Sequence, residues 1–119
     1  WIVSAFVALV AQPGHATDDA AQLFATCAGR LSAKMEHQWL MRDPAADRTH
    51  AQRAAMLSLL DAVTPPDNAR HILSWRIDAK QAQAVLLTRA TFNDDAADAE
   101  WARRRAEAEI AACTGLLLS

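Results

Sequence analysis

Apolar positions recur along this chain at alternating spacings of three and four, the repeat that lines up side chains on one face of an α-helix. The clearest run is Ile72, Trp75, Ala79, Ala82 and Leu86. Three further segments share the periodicity, and each has start and stop signals. The first is predicted to run from about Asp18 to Arg42, with Leu23, Phe24, Cys27, Leu31, Met35 and Trp39 as its inward stripe. Thr17, Asp18 and Asp19 offer capping and dipole-favouring groups at its start. Asp43-Pro44 ends it, because a residue before proline is pushed out of the α region.

The second segment spans about Ala45 to Val63 and turns Ala51, Ala55, Met56, Leu59, Leu60 and Val63 inward before Thr64-Pro65-Pro66. The third spans about Asp67 to Thr91. Asn93-Asp94-Asp95 divides it from the fourth, about Asp94 to Leu118, whose inward positions are Ala102, Ala106, Ile110, Cys113 and Leu117. Connections this short make consecutive helices antiparallel neighbours. The expected fold is therefore all-α: a four-helix, up-down-up-down, antiparallel bundle.

The first sixteen residues depart from this pattern. Trp1 to Val10 read WIVSAFVALV, uncharged and apolar on every side. Such a run has the length of a signal-peptide core and is too short to span a bilayer. Pro13-Gly14 reads as a helix break. Gly14-x-Ala16 places small residues where a signal peptidase requires them, so cleavage is expected after Ala16. Neither an initiator Met nor a basic stretch precedes the apolar run, which reads as a truncated signal segment. No cysteine stands at the cleavage site directly after Ala16, which argues against a lipoprotein. The expected organisation is a signal-peptide-like segment, 1–16, and one helical-bundle domain, 17–119, in a bacterial periplasmic or secreted protein.

Composition sharpens the helical reading. The chain has 119 residues, room for one domain. Alanine, the best helix former, supplies much of the 52% hydrophobic content, and there are only three glycines, four prolines and no tyrosine. The formal net charge is −2, with acids and bases interspersed. That pattern excludes the basic face of a nucleic-acid binder and a polybasic membrane-surface module.

Cys27 and Cys113 are the only cysteines, one in the first helix and one in the last. At ~1.5 Å rise per residue, both fall in the same half of an antiparallel pair. An exported setting favours their oxidation, so a Cys27–Cys113 disulfide is expected. There is no CxxC pair for redox catalysis and no CxxCH for covalent haem.

Candidate chemistry gathers at the turn between the first two helices. His37 precedes the end of the first helix by as many residues as His50 follows the start of the second, which places them level. Met41 lies one turn beyond His37, with Glu36 and Asp43 near. Trp39, Phe92 and Trp101 should reach the same end of the bundle. Imidazole and thioether suit copper, and a haem held by Met35 or Met41 and a histidine is a variant of that idea. Against them, no ExxH pair of the diiron type is present, and solvated histidines beside core-capping indoles explain the same residues.

Arg103-Arg104-Arg105 resembles an anion site, but Glu100–Arg104, Arg103–Glu107 and Arg105–Glu109 are all i,i+4 pairs and read as a salt-laced exposed face. No Gly-x-Ser-x-Gly elbow, glycine-rich phosphate loop or HExxH motif occurs. His71 lies near Asp67 and Ser74, where helix-start capping accounts for all three. The expected function is a non-enzymatic accessory or binding protein without a cofactor, meeting a protein partner through Trp39, Trp101, Phe92, His37, His50 and Met41. The alternative is a copper- or haem-binding bundle using His37, Met41 and His50; a periplasmic enzyme is third.

Overall fold

The computed structural model describes residues 2–5 and 13–118. The centre of the apolar segment, residues 6–12, lies outside the described residues. Ile2 and Val3 are exposed. The described residues form four α-helices and one 3₁₀ turn, with no strand: α1 (Pro13–Leu40), α2 (Ala46–Val63), α3 (Ala69–Thr91), α4 (Ala96–Thr114) and the turn Gly115–Leu117. No helix among the described residues is long and apolar enough to cross a membrane.

The helix ends follow the expected signals, with one correction. α1 is described from Pro13 rather than from near Asp18, so Pro13-Gly14 lies within the helix instead of breaking it. At the other end, α1 stops through its backbone before Pro44 is reached. The Asp43 N–H donates to the Gln38 carbonyl at 2.8 Å and the Arg42 N–H to the Trp39 carbonyl at 3.1 Å. Arg42 takes the left-handed conformation, φ 54°, that this closure needs. α4 opens on a side-chain cap: the Asp95 carboxylate accepts from the Ala97 and Asp98 N–H groups at 3.0 and 3.1 Å.

Antiparallel pairing holds for the two hairpins, α1–α2 and α3–α4. The most extensive contact, however, is α1 against α3, which run in the same direction. Gly29 meets Arg76, Ala79 and Lys80, Glu36 pairs with Lys80, and His37 meets Thr91. Short connections set the direction of each helix, but small side chains chose its neighbour. Ala21, Ala25 and Gly29, four residues apart, form a flat strip on α1 that lets α3 approach closely. A Cβ added at Gly29 would collide with the Arg76 carbonyl oxygen and come within 3.0 Å of the Lys80 amide nitrogen.

The apolar core fills the half of the bundle nearer the α2–α3 turn. Cys27, Ala28, Leu31, Met56, Ile110 and Cys113 form one cluster; Ala21, Ala25, Leu60 and Ile72 form the next, flanked by Phe24, Leu57, Val63 and Trp75. Cys27 and Cys113 are joined as a disulfide across a Cα–Cα distance of 5.4 Å. Beside it, Arg30 pairs with one carboxylate oxygen of Glu109 at 2.6 Å and Arg105 with the other at 2.8 Å. These contacts tie α4 to α1, which it otherwise touches little.

Several inward assignments are corrected. Leu23 and Trp39 on α1, Ala51, Ala55 and Leu59 on α2, and Ala82 on α3 are exposed. Gln38, Thr49 and Gln83 are buried in their place. On α3 the shift is a single position. Gln83, not Ala82, is buried, and its amide can be because Nε2 donates to the Ala106 carbonyl of α4 at 3.1 Å.

Candidate binding end and groove

The α1–α2 and α3–α4 turns lie at the same end of the bundle. Two contacts organise that end. The His37 ring nitrogen Nε2 and the Thr91 hydroxyl, 3.2 Å apart, join the last turns of α1 and α3. Arg89 grips Asp98 through two hydrogen bonds, at 2.5 and 3.3 Å, and Asn93 Nδ2 donates to the same carboxylate at 2.6 Å. The hydrogen bond from Arg89 holds the Asp98 carboxyl below the usual carboxylate range and raises the guanidinium above its own. Arg89 also lies over the Trp101 ring, 5.2 Å from its centroid. Such a cation–π contact favours one orientation of the indole while leaving its outer surface free.

Around these contacts the large apolar side chains face outward. Trp39 is 55% exposed and Trp101 51%; Leu40, Met41 and Phe92 are exposed as well. Trp39 and Met41 come from the end of α1, Phe92 caps α3, and Trp101 lies in the second turn of α4. His37 is half-buried and engaged with Thr91, and His50 is exposed on α2. No group of three or more His, Cys, Asp or Glu side chains suited to a metal ion occurs among the described residues.

Below this end, α2 and α4 stand apart and leave a groove of about 780 Å³. Gln38, Gln83 and Leu87 lie along it with Thr49, Ala106 and Ile110. Lys34, Arg48 and Arg103 bring positive charge to its lining, and Asp43 and Glu107 negative charge. Gln38 is only 8% exposed, and its Oε1 is buried without a hydrogen-bond partner. Both glutamines lie on the helical stripes of their sequence neighbours. Gln38 continues the Leu31–Met35 stripe three residues on, and Gln83 follows Ala79 by four.

The arginine-rich stretch of α4 is mostly paired, as its spacing suggested. Arg104 pairs with Glu100 at 3.6 Å and Arg105 with Glu109 at 2.8 Å. Arg103 departs from expectation by turning back to Glu100 rather than forward to Glu107. His71 Nδ1 meets the Asn68 side-chain oxygen at 2.8 Å, and its ring stacks on Trp75. No family model matches the chain, and no curated protein or solved structure matches it.

Proposed function

We propose that this chain is a non-enzymatic binding protein of an exported compartment, and that a partner protein docks on the end formed by the α1–α2 and α3–α4 turns. The half-exposure of both Trp39 and Trp101 carries the reading. Apolar surface left in water costs about 25 cal/mol per Å², so a partner that covers two indoles and Phe92 gains free energy without any rearrangement of the bundle. Indoles are common interface anchors because each joins a large rigid apolar face to one N–H donor. The partner would present an apolar surface with a hydrogen-bond acceptor. The disulfide supports the compartment, since such bonds persist in oxidising environments. The apolar run at the start of the chain supports it too, as a signal segment cleaved after Ala16.

The test is fluorescence quenching by a soluble quencher in Trp39→Phe and Trp101→Phe variants, followed by capture from the exported fraction with wild type and a Trp39→Ala/Trp101→Ala double variant. Both indoles should be open to quencher. One and the same partner should be retained by wild type, be lost by the folded double variant, and protect the indoles once bound. Equal, strong protection of both indoles in the free protein overturns the reading, as does capture indifferent to the double substitution.

A further inference from the structure

A second feature lies on the opposite face of α1 from the groove, where α2 and α3 flank Gly29. Gly29, Ser32 and Glu36 of α1, Arg53 of α2, and Arg76 and Lys80 of α3 line a cleft of about 180 Å³. Ser32 is buried, and its hydroxyl donates to the Ala28 carbonyl at 2.8 Å. The same oxygen accepts from Arg53 Nε at 2.6 Å, which aims the guanidinium into the cleft. Arg76 enters from the other side. Among the described residues no carboxylate lies within ion-pair distance of Arg53 or Arg76; Arg42, Arg48 and Arg70 also lack one but are exposed, whereas Arg53 and Arg76 are half-buried and line the same cleft.

Two unpaired guanidiniums brought together by separate helices form an arrangement that costs free energy unless an anion separates them. Burial first, then the like charge of Arg53, hold Arg76 below the ordinary arginine range. The only carboxylate lining the cleft, Glu36, is taken by Lys80 at 2.7 Å. Three cations against one carboxylate leave two positive charges uncompensated. The cleft is smaller than the roughly 300 Å³ from which drug-sized pockets begin.

We propose that this cleft is an anion site for a single tetrahedral dianion, a phosphate group, held between Arg53 and Arg76 with Ser32 positioning Arg53. Guanidinium forks match phosphate oxygens in geometry as well as charge. A dianion balances the site, and a monocarboxylate does not. The site is independent of the aromatic end and carries no statement about the partner there.

The experiment is an NMR titration of the full chain with inorganic phosphate at mildly alkaline pH, against sodium chloride at matched ionic strength. It follows the Gly29 and Ser32 amides and the arginine Nε–H signals. A saturable shift confined to the cleft is expected with phosphate and with sulfate, but not with acetate. Arg53→Gln and Arg76→Gln should each weaken it by about ten-fold or more, the loss of one charge-assisted hydrogen-bond pair. Arg104→Gln, on the exposed face of α4, should leave it unchanged. A response that does not saturate, that acetate reproduces, that survives both cleft substitutions, or that Arg104→Gln weakens equally overturns the proposal. Circular dichroism accompanies each variant; if Arg76→Gln does not fold, Arg53→Gln decides alone.

Discussion

The two halves of this bundle differ in the large side chains they bury. Around the disulfide, toward the α2–α3 turn, the interior holds Leu31, Met56, Leu60, Ile72 and Ile110. Toward the two hairpin turns it holds Gln38, Thr49 and Gln83 beside Met35 and alanines, while Trp39, Leu40, Met41, Phe92 and Trp101 face outward. The first half follows the usual rule of a folded core. The second inverts it, which costs apolar surface in water and amides in the interior. A fold can carry such a half only if the other supplies the stability. The disulfide and the close α1–α3 seam stand where that stability is made.

The sharpest way to break the comparison is to cut the disulfide. A cross-link between residues 86 apart should contribute roughly 4 kcal/mol by limiting the unfolded chain. Denaturant unfolding of oxidised protein and of a Cys27→Ser/Cys113→Ser variant measures it. A difference near zero would mean the apolar half does not depend on its covalent tie.

Next in size is Gly29→Ala. Alanine gains about 1 kcal/mol of helix propensity over glycine. At Gly29, however, its methyl meets the α3 backbone, which cannot yield as a side-chain tip would. A net loss of about 2–3 kcal/mol is expected, as for overpacked cores. A stabilised variant would show that the α1–α3 seam is looser than described.

In the polar half the sign reverses. Gln38→Met replaces a buried, unpartnered amide oxygen with an apolar chain of similar length. It should stabilise the free protein by about 1 kcal/mol, the part of the desolvation cost that the amide leaves uncompensated. A loss of stability on thermal unfolding would show that the amide is satisfied and that the interior of this half is as well matched as the other.

The smallest effect concerns Asp98. Its carboxyl is held below the ordinary range by the hydrogen bond from Arg89. The folded state therefore binds this proton less readily than the unfolded state. The contribution is fully present above the unfolded carboxylate pKa of about 3.9 and is lost as pH falls through the depressed folded value. Asp98→Asn should flatten the acid limb of stability against pH in that window, lowering stability slightly at neutral pH and leaving it little changed below the window. Parallel acid limbs in the two proteins would remove Asp98 from the account.

Much of the fold was legible along the chain. Helix ends are local matters, set by Asp95 as a cap and by proline- and aspartate-rich turns, and all but the start of α1 fell close to expectation. The disulfide was legible because helical rise converts residue number into height. The α4 stripe of Ala102, Ala106, Ile110 and Cys113 is buried as read. At the candidate binding end, the sequence marked the residues but assigned Trp39 to the core. Hydrophobic size suggests which residues would gain from burial, and it does not say whether a neighbouring helix is there to bury them. Gln38 and Gln83 were passed over for the mirror-image reason, since an amide is buried only where the fold arranges its surroundings.

What the sequence by itself determined is the set of four helices, their directions and the pair of cysteines that could meet. Each depends on propensity, capping and rise, which act within a few residues. The tertiary structure alone decided that α3 packs beside α1 in parallel, that α2 and α4 stand apart over a groove, and that Arg53 and Arg76 line one cleft with Gly29. Those outcomes turn on how closely two backbones can approach. That distance is set jointly by small side chains on α1 and the surface of α3, and no single stretch of chain contains both.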